Sequence, residues 1–207
     1  MNRLVYVSKV KALNNKGMLI LVNKDNPLPG DYRPYDMVTP HIPFINNDNY
    51  EKTLLRCEAA KAMEKLFCAA SSLDLRLYGI SFFRPYFRQN AIYRSTLKTK
   101  GEEYASLHIA KAGHSEHQTG LSADVSSKSV NYQLCPEFGM SDEGIWLANN
   151  AHLYGFIMRY PINKEEITGY CYEPWHIRYV GKAVAHNIYF NQITFEEWYE
   201  ANKKYLS

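Results

Sequence analysis

Apolar residues recur every three to four positions after Asp48, a spacing typical of a helix with one buried face. Asp48 and Glu51 have capping-box spacing, in which two side chains bind free backbone N–H groups at the start of a helix. The pattern therefore predicts a helix over about 49–70. Its apolar positions are Leu54, Leu55, Ala59, Ala62, Met63, Leu66 and Phe67.

Short apolar or alternating runs predict β-strands elsewhere, and further helices follow from their boundary residues. A predicted helix ends at Gly155, and Thr194 and Glu197 form another capping box that opens a terminal helix. The predicted strands are 18–22, 75–83, 121–126, 156–160 and 175–180. The other predicted helices are 86–98 and 141–154, and 26–32 is predicted to be ordered but irregular.

This order of elements predicts a single α+β domain over 1–207, with a mostly antiparallel sheet and helices packed on one side. The 46% hydrophobic and 22% charged residues are typical of a globular protein. Lys and Arg (24) minus Asp and Glu (21) give a net charge of +3, which does not favour a nucleic-acid partner. There is no uncharged stretch near the ~18 residues of a membrane span. The absence of an apolar signal region predicts a cytoplasmic protein, with an exported form trimmed of its signal as the alternative.

Polar residues with metal-binding chemistry stand out against the strand pattern. Leu121 and Ala123 are in phase for the core, so Asp124 points to the opposite face, and the same alternation places His176 away from Trp175. A tight turn at Gly120 would bring His117 toward that face.

If the two strands are neighbours, His117, Asp124 and His176 converge on one ion. Two histidines and a carboxylate leave a fourth tetrahedral position open, as in catalytic zinc sites. Pro174 favours an extended conformation at Glu173, which places this carboxylate near the ion as a general base.

The alternative is that these residues bind no metal. A lone histidine on a strand is most often structural or exposed, and Asp124 could simply cap a turn. Among seven histidines, one match to the spacing HxxGxxxD can arise by chance. His114 lacks the two-histidine spacing of helical metalloprotease motifs, so we place it outside the ligand set.

Two segments resemble the signature segments of the zinc D,D-carboxypeptidases and D-Ala-D-Ala dipeptidases, a group that includes enzymes of vancomycin resistance. The segments are SEHQTGLSAD, which begins at Ser115, and EPWHIRYVG, which begins at Glu173. The resemblance covers about 19–181 and leaves 182–207 as a C-terminal helical extension. It implies a zinc site on the open face of the sheet, with one Zn²⁺ bound by His117, Asp124 and His176.

The resemblance also implies roles for residues near the ion. Glu173 would act as base, and Arg84 would polarise the scissile carbonyl and stabilise the oxyanion. Ser115 and Gln89 would hold the terminal carboxylate of the substrate. The family usually has glycine where this chain has Phe82, which predicts a bulkier wall beside Arg84.

The expected function is hydrolysis of D-Ala-D-Ala termini of peptidoglycan precursors, or of the free dipeptide, by a zinc-activated water. Alternatives are an L,D-carboxypeptidase or endopeptidase acting on stem peptides, and a non-catalytic zinc module. The retention of both Glu173 and Arg84 argues against the last, because a binding module needs neither a base nor an oxyanion cation. The oligomeric state stays open.

Overall fold

The fold is described by a computed structural model for residues 2–45 and 49–206. Within these ranges, helices and strands are mixed along the chain. The helices are α1 (Arg3–Asn15), α2 (Cys57–Ser71), α3 (Tyr86–His108), α4 (Asp142–Asn150), α5 (Glu165–Thr168), α6 (Lys182–Asn191) and α7 (Phe195–Asn202). The strands are β1 (Met37–Val38), β2 (Leu55–Arg56), β3 (Leu77–Ser81), β4 (Ser122–Ser127), β5 (Phe156–Tyr160) and β6 (Glu173–Tyr179).

The central sheet has four antiparallel strands in the order β3-β4-β6-β5. Its register pairs Ser81 with Asp124, and Asp124 with His176. Side chains in register across neighbouring strands point to the same face. The two strands that carry Asp124 and His176 are therefore neighbours, which is the condition for their side chains to converge.

One face of the sheet packs on the main hydrophobic core. Ala123, Val125 and Ile177 are fully buried there against Met63 and Leu66 of α2. The alternation in the sequence causes this arrangement, because every second residue of a strand faces the same side. The prediction of an α+β domain with a mostly antiparallel sheet is confirmed, but helices pack on both faces of the sheet rather than on one side.

The opposite face is partly covered as well. A second cluster, built from α1, α6 and α7, packs around Ile157, which alternates along β5 with residues of the main core. The polar residues of β4 on this face, Ser122, Asp124 and Ser126, are themselves buried. The metal-binding face is therefore a covered polar layer rather than an open surface.

The strand predicted at 18–22 is wrong, although Met18, Leu19 and Val22 are buried as an apolar run requires. The carbonyls of Met18 and Ile20 accept hydrogen bonds from the side chain of Arg178, at 3.2 and 2.8 Å. A buried guanidinium thus satisfies backbone groups that a sheet partner would otherwise bind.

The helix predicted at 49–70 begins later, at Cys57. A 3₁₀ turn covers Tyr50–Thr53, and Leu55–Arg56 forms the short strand β2 paired with β1. Asp48, the predicted cap, lies outside the described residues, and the side chain of Asn49 accepts a hydrogen bond from the N–H of Glu51 instead.

Other boundaries follow local signals. Gly155 ends the 3₁₀ turn after α4 with φ 89°, and the Thr194–Glu197 capping box opens α7, as predicted. Helix α3 extends ten residues beyond the predicted end, through a break at Gly101, and α1 has no counterpart among the predictions. No helix in the described ranges has the length and hydropathy of a membrane span.

Candidate metal centre and active site

A glycine turn and two strands bring the predicted ligands together. Gly120 adopts φ 64° between the 3₁₀ turn that carries His117 and strand β4, as the tight turn requires. Ligand atoms of His117, Asp124 and His176 lie within 4.8 Å of one another, and all three residues are buried. The sequence-based ligand set is thus assembled in space.

Main-chain contacts orient His117. Its Nδ1 donates a hydrogen bond to the carbonyl of Phe82, at 2.6 Å, because a carbonyl can only accept. In the neutral ring the lone pair is therefore on the other nitrogen, Nε2, which lies 3.2 Å from Asp124 Oδ2. The N–H of Arg84 also donates to the His117 carbonyl at 3.2 Å, so the end of β3 and the 3₁₀ turn brace each other.

His176 approaches the same carboxylate with its other type of nitrogen. Its Nδ1 lies 3.0 Å from Asp124 Oδ1, while Nε2 points away toward Glu116. Burial disfavours the charged form of His176, but its hydrogen bond to Asp124 and the nearby carboxylates of Glu116 and Glu173 raise its pKa to about 9. A metal ion bound at Nδ1 of His176 would displace the proton from this nitrogen.

The donor set fits zinc. Two imidazole nitrogens and one carboxylate oxygen, all buried and facing one another, form a three-ligand set of the catalytic type. Burial would raise the pKa of Asp124, but the two histidines hold the pKa of that carboxyl far below its usual range. Asp124 is therefore ionised, as a ligand must be.

Glu173 sits beside the ligand set without belonging to its closest atoms. Its Oε2 is 4.0 Å from His176 Nδ1. Burial raises the pKa of Glu173 to about 7, against the opposing charges of His176 and Arg84. A carboxylate with a pKa near neutrality can both accept and return a proton under ordinary conditions.

Arg84 is held rigidly at the other side of the site. It donates from Nη1 to Gln89 Oε1 at 2.9 Å and from Nη2 to Ser81 Oγ at 3.2 Å. Its Nη2 also lies 3.5 Å from Asp124 Oδ2. A guanidinium fixed in this way is preorganised to stabilise negative charge that develops in a transition state.

All seven residues predicted for the site line one cavity of about 270 Å³. Gln89 donates to the carbonyl of Ala110 at 2.6 Å in addition to accepting from Arg84, so it orients Arg84. The hydroxyl of Ser115 has no hydrogen-bond partner within the described residues. The roles of Ser115 and Gln89 toward a substrate carboxylate stay predictions.

Phe82 does not form the wall that the sequence suggested. Its side chain is fully buried and packs edge-on against Phe44, with ring centroids 5.0 Å apart. It is not among the residues that line the cavity. The walls come instead from aromatic and apolar residues that sequence reasoning did not assign: Tyr104, Ile109, Leu134, Tyr160, Tyr170 and Trp175.

Glu116 is a further residue without a role in the sequence analysis. It is buried next to His117 and binds Arg159 and Arg178 at 2.8 and 2.7 Å. The sequence did indicate that such a carboxylate was needed. Arg178 shares a strand face with His176, and an arginine buried there requires a carboxylate partner. His114, by contrast, binds the carbonyl of Asn23 at 3.0 Å and lies outside the ligand set, as predicted.

A larger cavity, of about 630 Å³, contains none of these residues. It is lined mainly by apolar side chains of β5 and the end of α6, and Lys164 is the one lysine, arginine or carboxylate side chain that lines it among the described residues. Its size alone therefore does not make it the reaction site, since a hydrolase needs convergent polar groups.

Comparison with known proteins agrees with this geometry. The sequence model of the family "VanY: D-alanyl-D-alanine carboxypeptidase" matches residues 52–182. The putative carboxypeptidase YodJ of Bacillus subtilis (strain 168) is 46% identical over 202 residues, which are 96% of this chain and 74% of that protein. The bifunctional D-Ala-D-Ala dipeptidase and D-Ala-D-Ala carboxypeptidase VanXYC of Enterococcus gallinarum is 37% identical over 88% of this chain and 93% of its own.

Solved structures show the same fold. The LdcB LD-carboxypeptidase has a TM-score of 0.85 and 45% identity, covering 91% of this chain and 87% of its own. A mutant of the vancomycin resistance D,D-pentapeptidase VanY, in complex with Zn(II), has a TM-score of 0.71 and 31% identity, covering 87% of this chain and 98% of its own.

Proposed function

Since the chain belongs to the VanY family and is a carboxypeptidase acting on D-Ala-D-Ala or peptidoglycan peptides, we propose that it releases the terminal D-alanine from the D-Ala-D-Ala end of the peptidoglycan pentapeptide stem by zinc-dependent hydrolysis. The observation that carries this proposal is a single cavity that holds three metal-binding side chains, Glu173 and Arg84. One Zn²⁺ at His117, Asp124 and His176 would polarise the scissile carbonyl and lower the pKa of an attacking water to about 7.

Side chains of the chain transfer the proton, stabilise the oxyanion and bind the substrate. Glu173 accepts the proton of the attacking water at its carboxylate and passes it to the amine of the departing D-alanine. The guanidinium of Arg84, fixed by Gln89 and Ser81, donates to the carbonyl oxygen as negative charge develops there. Ser115, whose side chain lines the cavity, binds the terminal carboxylate.

The lining of the cavity favours a peptide over the free dipeptide. Asp124 and Glu173 are the acidic residues of the lining within the described chain, and both are committed to metal and proton. No further carboxylate there pairs with the α-ammonium of free D-Ala-D-Ala. Tyr104, Leu134 and Trp175 instead offer apolar surface for a longer peptide.

A second candidate is L,D-carboxypeptidase activity on the tetrapeptide stem. It is supported by the similarity to the LdcB LD-carboxypeptidase, with a TM-score of 0.85 against 0.71 for VanY. Both candidates release D-alanine and use the same groups, and they differ in the residue on the amino side of the scissile bond.

The test is a product assay with zinc-loaded protein on the pentapeptide, the tetrapeptide and D-Ala-D-Ala, with released D-alanine measured by mass spectrometry. We expect kcat/KM to be highest for the pentapeptide and lowest for the dipeptide. Cleavage of the tetrapeptide alone would replace the first candidate with the second. Zinc binding without D-alanine release from any peptide would refute the proposal.

The variant Glu173→Gln provides the matched control. It keeps the size of the side chain and removes the base, so we expect turnover to fall by about 10²–10⁴-fold while zinc stays bound. Near-normal turnover with bound zinc would exclude Glu173 as the base.

A further inference from the structure

A buried carboxylate stands directly behind the metal-binding face. The side chain of Glu116 is 0% exposed. Its Oε1 accepts from both Arg159 Nε, at 2.8 Å, and Arg178 Nη1, at 2.7 Å, and its Oε2 accepts from Ser122 Oγ at 3.1 Å. The carboxylate is thus fixed in position from two other strands and from β4.

The remaining side of Oε2 faces His176. The distance to His176 Nε2 is 3.7 Å, somewhat longer than a hydrogen bond. Nε2 is buried and has no hydrogen-bond partner among the described residues. Since Nδ1 is the nitrogen beside Asp124, a neutral His176 that binds metal must carry its proton on Nε2.

We propose that Glu116 is a positioning residue for the metal centre: it accepts the Nε2–H of His176 and so fixes the tautomer that presents the Nδ1 lone pair to the zinc ion. This inference rests on the proposed function, because it presupposes zinc at His176. Histidine ligands commonly donate their second N–H to a carboxylate, and the loss of that partner weakens metal binding.

The hydrogen bonds of Arg159 and Arg178 argue against the alternative that Glu116 serves only to neutralise the charge of these two arginines. The two terminal nitrogens of Arg159 donate to the two carboxylate oxygens of Glu196. Only Nε of Arg159 donates to Glu116. Arg178 likewise donates to Glu116 only at Oε1, through Nη1, and its Nε and Nη2 donate to backbone carbonyls. Neutralisation therefore occupies one oxygen of Glu116 and leaves the other turned to His176.

The variant Glu116→Gln tests the direction of the hydrogen bond. Glutamine has a single acceptor oxygen, which the two arginine donors would retain, so its NH₂ group would face His176. An NH₂ group can only donate, which makes Nε2 the acceptor and moves the proton to Nδ1. We expect the zinc Kd, measured by chelator competition, to rise about 10–100-fold.

Glu196→Gln is the matched control. It removes a carboxylate partner of Arg159 but contacts neither His176 nor Glu116, so zinc affinity should stay within about twofold of the original protein. If Glu116→Gln binds zinc as tightly as this control, Glu116 is only structural and the inference is wrong. If the original protein itself binds no zinc, the proposed function fails instead.

A measurement on the unmodified protein decides the matter even if Glu116→Gln does not fold. Nitrogen NMR of ¹⁵N-histidine-labelled, zinc-loaded protein should show His176 bound to metal through Nδ1, with a slowly exchanging proton on Nε2. Metal bound through Nε2 of His176 would overturn the inference.

Discussion

Glu173 combines burial with a place next to the metal ligands, and this combination predicts a pH dependence. Burial raises its pKa to about 7, and the base is needed in its ionised form. Activity should therefore fall as the pH drops through this pKa, approaching tenfold per pH unit. The charge of bound zinc lowers the pKa, so the midpoint of the acid limb should lie at or below about pH 7. A profile of kcat/KM against pH checks this, and a rate that does not change between pH 8 and 5 would contradict it.

Arg84 should contribute geometry as well as charge. Lysine at this position keeps the charge but loses the planar fork that Gln89 and Ser81 hold. We expect Arg84→Lys to lower kcat by about 10²–10³-fold with zinc affinity unchanged. Arg76→Lys, at an exposed arginine that does not line the cavity, is the control and should keep full activity. Equal rates for the two variants would rule out a role for Arg84 in charge stabilisation.

Residues with a chemical signature could be predicted from the sequence, and residues defined by three-dimensional neighbours could not. Spacing and strand phase placed His117, Asp124 and His176 in one cavity. The wall at Phe82 was predicted wrongly, because its side chain turns into the core and only its carbonyl reaches the site. The partners of Glu116 lie 43 and 62 residues away, beyond the reach of any local pattern.

The long helix α3 depends on one residue for its shape. Gly101 breaks it with φ 83° and ψ 173°, a conformation that is essentially restricted to glycine. The segment after the break carries Tyr104 and His108, whose rings stack 4.2 Å apart and line the active-site cavity. The position of this wall therefore follows from the backbone at Gly101.

Gly101→Ala should disturb the wall through the backbone alone, because nothing apart from the neighbouring backbone of the same helix lies within 4 Å of an added Cβ. We expect a loss of about 1–3 kcal/mol in the free energy of unfolding, or a shifted wall that raises KM for peptides. Zinc affinity should not change. Glu102→Ala, the next residue along the helix, is the comparison, and equal stability and KM for both variants would show that the break is unimportant.

Elements were predictable where their hydrogen bonds are local. The capping box of α7 and the glycine end of the α4 region are examples. The buried run at Met18 looks like a strand in the sequence, but its carbonyls bind Arg178, a partner 160 residues away. Likewise, the start of α2 is set by the pairing of β2 with β1, which overrides the helical periodicity of Leu54 and Leu55.

At the scale of the molecule, a charged network joins the C-terminal helix to the metal-binding face. Arg159 is fully buried and bridges Glu196 of α7 to Glu116. Phe195 and Trp198 of the same helix belong to the second hydrophobic cluster. The segment after 181 is thus packed into the fold by both apolar contact and charge.

Glu196→Gln should therefore lower the free energy of unfolding by more than a typical substitution near the surface. It removes one charge partner of a buried arginine, which costs about 3 kcal/mol in the free energy of unfolding. Urea unfolding of the variant measures this. Glu200→Gln, in the same helix but with an exposed ion pair to Lys203, should change stability by no more than about 0.5 kcal/mol. Equal losses would show that the buried network adds nothing.

The contact of His117 with the carbonyl of Phe82 has a consequence for how this sequence can change. Every residue type provides a carbonyl, so position 82 can vary without loss of the metal ligand's support. The constraint is on volume instead. A Cβ on Gly79 would come within 2.6 Å of the Phe44 ring and 3.0 Å of the Phe82 ring. Positions 44, 79 and 82 therefore share one fixed space, and a larger residue at 79 should be tolerated only together with a smaller one at 44 or 82.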